Sequence, residues 1–244
     1  KRLALDATAD SSHSPYDGTP LVYSKNWFGH LGHYVSQDKK FKRPAPAYSL
    51  KQKGLDLSMD LSGDRAVIKL PLPGLYNAYN ALAAAALATK MGVKIDVIKS
   101  TLQATKAAFG RVEHFEYNGR QVYLLLIKNP TGFNQVIQTF LQNHKQNSSV
   151  MIAINDNFAD GRDVSWLWDS AVEESAGTQP MIVSGTRAYD MALRLKYADR
   201  ACDINVDITA AFEKAVHQTP QNGTVYVLPT YTAMMSLRKW LATK

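Results

Sequence analysis

The chain has 244 residues, of which 45% are hydrophobic and 20% charged, so it is long enough for one or two domains and too hydrophobic for general disorder. Its net charge of +7 favours an anionic partner, such as a nucleotide, a phosphorylated lipid, a membrane surface or nucleic acid. The single cysteine, Cys202, excludes an internal disulfide and is predicted to be a small buried hydrophobe. The longest apolar run, Ala81–Ala88, is too short to cross a membrane and Lys1 opens no signal-peptide pattern, so we expect a cytoplasmic protein.

The first part of the chain lacks a regular hydrophobic pattern. Residues 1–47 are rich in Ser, Asp, Gly, His and Tyr, which predicts a loop-rich insertion or a small module. A solvated loop is the simpler interpretation of its basic stretch, Lys39–Arg43. Because no helix-turn-helix, RNP-type or zinc-finger pattern accompanies these residues, we expect no nucleic-acid partner.

Strands and then helices follow. Residues Tyr48–Leu70 alternate between polar and apolar side chains, which predicts a hairpin of strands. The alanine-rich Asn77–Lys90 and the amphipathic Ile95–Ala107 predict two helices. The helical pattern stops at Phe109-Gly110-Arg111, where we expect a domain boundary. The expected domains are residues 1–47, 48–110 and 111–244.

The last part of the chain alternates between near-continuous apolar strands and helices. This alternation predicts a Rossmann-like α/β domain, in which helices cover both faces of a parallel sheet. The predicted strands are Val122–Ile127, Val150–Ile154, Met181–Val183, Ala201–Val206 and Thr224–Leu228, and the predicted helices are Phe133–His144, Ala188–Ala198, Ile208–His217 and Thr232–Leu241. Because ligands gather at the carboxyl ends of parallel strands, four of the connecting loops should share one functional edge. These loops are Lys128–Gly132, Asn155–Asp169, Ser184–Arg187 and Pro229–Tyr231.

Two asparagines at the start of the first predicted helix carry the first functional signal. Asn77 and Asn80 stand in Gly74-Leu75-Tyr76-Asn77-Ala78-Tyr79-Asn80-Ala81, where their carboxamides can cap the helix or bind an adenine edge. This stretch resembles the Gly-x-x-Asn-x-x-Asn-Ala-x-Ala-Ala segment of the Mur ligase family, whose members join amino acids to peptidoglycan precursors using ATP. Gly110-Arg111-Val112-Glu113 is similar to the Gly-Arg-x-Glu hinge of that family. The resemblance implies ATP with Mg as the cofactor, with Asn77, Asn80 and Arg111 binding the nucleotide; a surface salt bridge is the alternative role of Arg111.

Four further stretches narrow the resemblance to Mur ligase subunits that pair with a GatD-like class I glutamine amidotransferase. They are Lys128–Asn134, Asn155–Trp166, Ser184–Ala188 and Pro229–Thr232. The likeness covers nearly the whole chain and implies the end of a central ATPase domain followed by a Rossmann-like C-terminal domain. It also implies an activity in which ammonia from glutamine amidates the D-glutamate of lipid II to D-isoglutamine. A lipid substrate leaves open a peripheral contact at the inner membrane face, for which Lys39–Arg43 is the candidate segment.

The loop after the second predicted strand places Asp156, Asp160 and Asp163 close together. Their mutual repulsion suggests a function, although ordinary turn chemistry with Asp163 as an N-cap is the structural alternative. In the resembling subunits, the aspartate of Gly-Arg-Asp-x-Ser-Trp completes the Cys–His pair of the partner glutaminase, so a catalytic role of Asp163 is expected from the resemblance. The expected partner interface comprises Trp166, Trp168, Asp160 and Arg162, although either tryptophan can belong to the core.

Two features of the family are absent from the sequence. No Gly-Thr-x-Gly-Lys-Thr-Thr phosphate loop occurs, so we expect a piece of a longer protein that does not ligate by itself. Resembling proteins often carry a zinc ribbon, but Ser14–Gly18 and Val35–Asp38 stand where its two cysteine pairs belong. His13, His30 and His33 lack a spacing that would rebuild a tetrahedral site, so we expect the ribbon fold without zinc.

Two other interpretations stay open. The first is another Mur-type amino-acid ligase or a relative of folylpolyglutamate synthase, although Lys128-Asn129-Pro130 stands where those enzymes usually show an Asp-Tyr-x-His or Asp-x-x-His segment. The second is a docking module that binds a partner through the tryptophan loop and has lost catalysis. The missing phosphate loop is compatible with this second interpretation.

Overall fold

The computed structural model describes residues 12–106, 112–142, 147–177 and 179–244. The chain divides into two compact units, unit 1 (residues 1–49) and unit 2 (residues 50–244). None of the helices in the described ranges has the length and the apolar character to span a bilayer. The division into three domains expected from the sequence stays a prediction.

Unit 1 is built on an antiparallel hairpin of two strands, β1 (Val22–Phe28) and β2 (Leu31–Val35), with two irregularities in their register. Tyr23 is 3% exposed and packs against Tyr34, with ring centroids 5.7 Å apart. The hydroxyl of Tyr23 donates to the carbonyl of His30 at 3.0 Å. A small aromatic core therefore holds the hairpin together.

Two hydrogen-bonded turns lie where the resemblance places the cysteine pairs of a zinc ribbon. Ser14 and Ser36 are buried, at 3% and 1% exposure. The hydroxyl of Ser36 donates to Asp38 at 2.5 Å and accepts from the amide of Phe41 at 3.0 Å. The pKa of Asp17 is lowered by hydrogen bonds, first of all the one from Ser14. The pKa of Asp38 is lowered in the same way, first of all by the hydrogen bond from Ser36. In the described ranges, no group of three or more His, Cys, Asp or Glu side chains is arranged to hold a metal ion.

The ribbon should be independent of zinc, because hydrogen bonds to serine and aspartate hold its two turns. We expect protein produced in zinc-supplemented medium to contain less than one equivalent of zinc, and its melting temperature to be insensitive to EDTA. Elemental analysis and thermal denaturation with and without chelator check this, with a four-cysteine zinc ribbon as the positive control. One stoichiometric zinc ion, or a melting temperature that falls with EDTA, would contradict the prediction.

Unit 2 begins with a three-stranded sheet in the order β3 (Tyr48–Lys53), β4 (Asp56–Leu61) and β5 (Asp64–Lys69). β4 and β5 pair antiparallel, which confirms the hairpin predicted within Tyr48–Leu70. Alternate side chains of β4 are buried, as the polarity pattern indicated. The pattern did not separate β3 as a third strand, because only alternate residues of β3 are even partly buried.

Two helices follow this sheet, α1 (Leu75–Lys90) and α2 (Ile95–Gln103). α1 begins after Gly74, which has a φ of 100°, and the side-chain amide of Asn77 donates to the carbonyl of Pro73 at 2.7 Å. α2 ends four residues before its predicted end at Ala107, which lies outside the described residues. Both predicted helices are present.

The larger part of unit 2 is a six-stranded sheet in the order β10-β9-β8-β11-β7-β6. Its strands are β6 (Glu113–Tyr117), β7 (Arg120–Leu124), β8 (Ser148–Ala153), β9 (Met181–Ser184), β10 (Cys202–Ile204) and β11 (Thr224–Pro229). All neighbouring strands are parallel except β6 and β7. The five predicted strands and the parallel sheet are confirmed, whereas the antiparallel edge strand β6 was not predicted.

Helices cover both faces of this sheet and close two cores. The helices are α3 (Pro130–Val136), α4 (Ala188–Tyr197), α5 (Ile208–Gln218) and α6 (Tyr231–Leu241). Val150 and Ile152 of β8 pack on the side of α3 and α4, whereas Met151 packs on the side of α5 and α6. This alternation explains why the strand sequences are almost entirely apolar. It also confirms the Rossmann-like α/β architecture expected from the sequence.

Two local predictions differ from the structure. The helix predicted at Phe133–His144 starts earlier, at Pro130, because Asn129 caps the amide of Gly132 at 2.8 Å and proline is favoured in the first helical turn. It continues as a π-helical turn, Ile137–Leu141, and the last predicted residue lies outside the described ranges. Cys202, predicted to be buried, is only partly buried and packs at the margin of one core, because it lies on the edge strand β10.

Candidate functional site

The loops after β8, β9 and β11 meet at one edge of the six-stranded sheet, as the strand order requires. Asn155, 6% exposed, joins all three: its side-chain amide donates to the hydroxyl of Thr232 at 2.9 Å, and its side-chain oxygen accepts from the amide of Thr186 at 3.0 Å. Gly185 makes this approach possible, because a Cβ there would lie 2.4 Å from the carbonyl oxygen of Ile154. The predicted convergence is confirmed for these three of the four loops.

Asp160 is the internal anchor of the loop that follows β8, here called the acidic loop (residues 155–163). Its carboxylate is 6% exposed and accepts from the amide of Thr232 at 2.7 Å and from the Thr232 hydroxyl at 2.5 Å. It also accepts from the amide of Asn157 at 3.2 Å. Thr232 lies in the first turn of α6, so the carboxylate satisfies a free amide at a helix start. Asp160 therefore positions the loop and presents almost no surface to a partner.

Asp156 fixes the other side of the acidic loop. Its carboxylate accepts from the hydroxyl of Thr186 at 2.9 Å and from Nη1 of Arg187 at 3.2 Å. Arg187 makes a second, two-pronged pair with Asp190, at 2.7 and 2.8 Å. These bonds lower the pKa of Asp156, first through Thr186 and then through Arg187. Two of the three aspartates in the loop are thus held by internal partners, Asp156 by a cation and Asp160 by neutral donors, which offsets the repulsion expected from the sequence.

Asp163 is the aspartate that faces solvent. Its Oδ1 accepts from the amide of Ser165 at 2.8 Å, at the start of a 3-10 turn, Ser165–Asp169. Hydrogen bonds from Ser165, the backbone bond first, lower the pKa of Asp163. The turn chemistry expected as the structural alternative is therefore present, although the N-cap position itself is Val164, which makes no side-chain capping bond. It does not exclude a catalytic role, because a carboxylate has a second oxygen to offer.

The 3-10 turn is held from behind by a buried arginine of α4. Arg194, 5% exposed, donates to the carbonyls of Leu167 at 3.1 Å and Ser170 at 2.5 Å. Its guanidinium also pairs with Glu173 at 2.8 Å. This residue was not predicted from the sequence, although a signal existed: Arg194 is a charged residue directly beside the apolar Leu195 on the buried face of its helix.

The two tryptophans of the turn have different surroundings. Trp166 is partly buried and packs edge-to-face on the core residue Phe133, with centroids 6.3 Å apart. Trp168 is 49% exposed and packs edge-to-face on Tyr197 at 5.4 Å. Trp166 thus packs mainly against the core, whereas Trp168 lies mainly at the surface.

A cleft of about 310 Å³ lies beside Asp163. It is lined by Arg162, Asp163, Ser165, Trp168, Arg187 and Asp190, among others. The lining carries the exposed Arg162 and the Arg187–Asp190 pair, so it is polar and charged. Such a cleft suits a polar group of a partner or substrate better than an apolar ligand.

Comparison with known proteins identifies the domain that carries this site. Residues 126–234 match the family model "MurT ligase C-terminal". They form a MurT C-terminal domain. The chain is 34% identical over 232 residues to lipid II isoglutaminyl synthase (glutamine-hydrolyzing) subunit MurT of Streptococcus pneumoniae, an alignment that covers 92% of this chain and 51% of the relative. The chain therefore spans about half the length of this curated relative.

Solved structures show the same Mur ligase fold. The pseudomurein peptide ligase type C of Methanothermus fervidus superposes with a TM-score of 0.78 at 20% identity, over 99% of this chain and 50% of that one. Mycobacterium tuberculosis folylpolyglutamate synthase, complexed with ADP and AMPPCP, superposes with a TM-score of 0.59 at 19% identity, over 81% of this chain and 48% of that one. At these identities the likeness concerns the fold alone.

The MurT C-terminal domain exposes several large apolar side chains near Asp163. Phe158, in the acidic loop, is 95% exposed. Tyr189, Leu193 and Tyr197 are 68%, 48% and 72% exposed and follow one another at intervals of four residues along α4. Trp168 connects this ridge to the cleft, because it contacts Tyr197 and also lines the cleft beside Asp163. Exposed apolar side chains of this kind indicate a protein interface.

Two of the three residues expected to bind nucleotide, Asn77 and Asn80, lie on α1, before the MurT C-terminal domain. Asn77 stabilises the start of the helix through Pro73, whereas Asn80 is exposed. An exposed carboxamide fits a nucleotide, because it offers both a donor and an acceptor. Arg111 lies outside the described residues.

Proposed function

We propose that the chain belongs to the MurT-type subunit of a glutamine-dependent, ATP-using carbon–nitrogen ligase that amidates the D-glutamate of lipid II to D-isoglutamine. The proposal is supported by the MurT C-terminal domain and by the likeness to the Streptococcus pneumoniae subunit. The activity, its substrate and its partner concern the whole protein. This chain aligns to about half the length of the relative. The expected partner is a GatD-like class I glutamine amidotransferase.

One observation carries the assignment of the partner: the MurT C-terminal domain presents an exposed carboxylate, that of Asp163, on a rigidly held loop. Asp156, Asp160 and Arg194 hold this loop and the following turn from three sides. In the described part of the chain, the hydrogen bonds of this carboxylate come from Ser165 alone, first of all from its amide. A preorganised charge of this kind suits an active site completed by another protein.

The chemistry assigned to Asp163 is that of the third member of a catalytic triad. A cysteine thiolate of the glutaminase attacks the carboxamide carbon of glutamine, and a histidine gives its proton to the departing ammonia. Water then hydrolyses the thioester to glutamate. Asp163 orients that histidine and stabilises its protonated form. Glutamine hydrolysis would then depend on assembly of the two subunits, which prevents loss of ammonia by the free glutaminase.

The ligase half of the reaction belongs to the central ATPase domain, of which residues 48–110 are the proposed end. ATP with Mg would supply the phosphoryl group that activates the glutamate carboxylate, so that ammonia could attack the acyl carbon and displace phosphate. In this chain the exposed Asn80 fits the nucleotide best, Asn77 supports the start of the same helix, and Arg111 is the proposed hinge ligand. A lipid substrate places the protein in the cytoplasm at the inner membrane face.

Reconstitution tests the proposal directly. The full-length protein, co-expressed with a class I glutaminase, should convert lipid II to its amidated form in the presence of glutamine and ATP, which mass spectrometry of the released muropeptide detects. Omission of ATP should stop amidation. If the complex forms but only adds an amino acid, the chain belongs to another Mur-type ligase. If it forms without any ligation, the docking-module interpretation is correct.

The apolar ridge of α4 and the acidic loop should dock the glutaminase. We expect Tyr197→Ala or Phe158→Ala to weaken the complex about thirtyfold, as for central aromatic hot spots, and to leave the unfolding free energy of the chain almost unchanged, since both side chains are mainly exposed. Titration calorimetry measures the affinity. Tyr16→Ala in unit 1, which removes a tyrosine that is 78% exposed, is the matched control. Unaltered affinity of both variants would exclude this surface as the interface.

A further inference from the structure

Unit 1 carries an excess of positive charge that the proposed chemistry does not use. Its described residues, 12–49, contain five lysines and arginines but only two aspartates. Both aspartates accept hydrogen bonds within turns, Asp17 from Thr19 and Asp38 from Ser36. Lys25, Lys39 and Lys42 are exposed. The unit therefore presents a cationic surface.

Part of this surface is an ordered cluster around Trp27, here called the tryptophan patch (Lys25, Trp27, His33 and Arg43). The guanidinium carbon of Arg43 lies 4.9 Å from the centroid of the indole, and Nζ of Lys25 lies 5.6 Å from it. The ring of His33 packs edge-on at 4.8 Å, and Lys25 and His33 are cross-strand neighbours in the hairpin. Arg43 is fixed further by a bond from its guanidinium to the carbonyl of Gly32 at 3.3 Å.

The patch combines a partly buried indole with cationic groups directly above it. Tryptophan and basic side chains together favour the boundary between water and lipid, where the aromatic side chain lies at the level of the headgroups and the charges meet anionic lipids. Single-stranded nucleic acid requires an open ring face on which a base can stack. Here Arg43 lies over the ring of Trp27, so the cluster is a poor stacking platform.

We propose that the tryptophan patch, extended by Lys39 and Lys42, docks unit 1 on the surface of an anionic phospholipid bilayer. An anionic bilayer is chosen as the occupant because its negative charge complements the positive charge of the patch. The proposal rests on the proposed function in one respect, since an enzyme acting on a lipid-linked substrate gains from such contact. The binding is peripheral: few side chains reach the surface, and each basic one contributes roughly fivefold to the partition coefficient.

Vesicle co-sedimentation tests this inference. The chain should bind vesicles of phosphatidylcholine with phosphatidylglycerol, bind vesicles of phosphatidylcholine alone far more weakly, and lose binding at high salt. The double variant Lys25→Gln/Arg43→Gln should bind the anionic vesicles about thirtyfold more weakly, the product of two basic contributions. Lys39→Gln/Lys42→Gln changes only exposed side chains and should weaken binding similarly without any risk to the fold. The matched control is Lys90→Gln/Lys94→Gln, which removes two exposed lysines of unit 2.

Three results would overturn the inference: no binding to anionic vesicles at low salt, equal weakening by the control pair, or a stronger affinity for single-stranded RNA than for the vesicles. The proposed function is separated from this inference by assaying amidation of lipid II in detergent micelles, where no bilayer is present. Loss of amidation there with vesicle binding intact refutes the function alone, and amidation there without vesicle binding refutes the patch alone.

Discussion

Replacing Asp163 by Asn is expected to abolish glutamine hydrolysis in the complex with the glutaminase and to leave the complex itself intact. Asparagine keeps the shape of the side chain and can still accept from the amide of Ser165, so the turn persists. It cannot stabilise a protonated histidine, and loss of the corresponding carboxylate in catalytic triads lowers kcat by roughly a thousandfold to ten-thousandfold. Glutamate release, followed with a coupled glutamate dehydrogenase assay, measures the effect.

The pH profile of the parent complex gives a second readout. Because the Ser165 bonds lower the pKa of Asp163, its carboxylate stays ionised at a pH where an ordinary aspartate begins to protonate. The acidic limb of glutamine hydrolysis should therefore report the histidine of the partner, without a contribution from Asp163.

Asp169→Asn is the matched control, since Asp169 is an exposed aspartate at the other end of the same 3-10 turn. Its hydrolysis rate should equal that of the parent complex. Unchanged hydrolysis by the Asp163 variant would end the triad assignment, whereas loss of both hydrolysis and complex formation would reassign Asp163 to docking. Ligation with added ammonium chloride should survive Asp163→Asn in the full-length complex, because free ammonia bypasses the glutaminase.

Local sequence patterns were sufficient for most of the fold. The strands β8 and β11 and the helices α4 and α5 were predicted to within two residues at each end, because apolar spacing reports directly which side of an element is buried. The edge strand β6 was not predicted, because its alternating residues are only partly buried and the strand is defined mainly by its pairing with β7. The π-helical turn after α3 also left no signal in residue spacing, since its apolar residues fit an α-helix equally well.

The candidate site was predictable only in part, for a related reason. The spacing of Asp156, Asp160 and Asp163 marked the acidic loop, but their separate roles depend on residues far away in sequence. Asp160 was expected at the partner interface and is instead buried against Thr232, which lies 72 residues further along the chain. Tertiary partners of this kind decide whether a carboxylate serves the fold or faces solvent. Asp163 as catalyst and Trp166, Trp168 and Arg162 as interface residues stay predictions.

The fold and the proposed chemistry both depend on the side chain of Arg194. Arg194→Met should lower the free energy of unfolding by about 3 kcal/mol, because the carbonyl of Ser170 would lose its guanidinium donor and Glu173 its charged partner. The carbonyl of Leu167 would lose one donor and keep the hydroxyl of Ser170. Arg194→Lys keeps the charge but cannot reach both carbonyls and Glu173 together, so an intermediate loss is expected. Urea denaturation followed by tryptophan fluorescence measures both values.

Lys196→Met, an exposed position on the same helix, is the control and should change the unfolding free energy by less than about 0.5 kcal/mol. The consequence for function follows from the geometry, since the turn that Arg194 holds begins at Ser165, the residue that orients Asp163. At a temperature where Arg194→Lys remains folded, its complex should therefore hydrolyse glutamine more slowly than the parent. A destabilised Arg194 variant with full hydrolysis would show that Asp163 is positioned without the buried arginine, and that the acidic loop alone fixes the carboxylate.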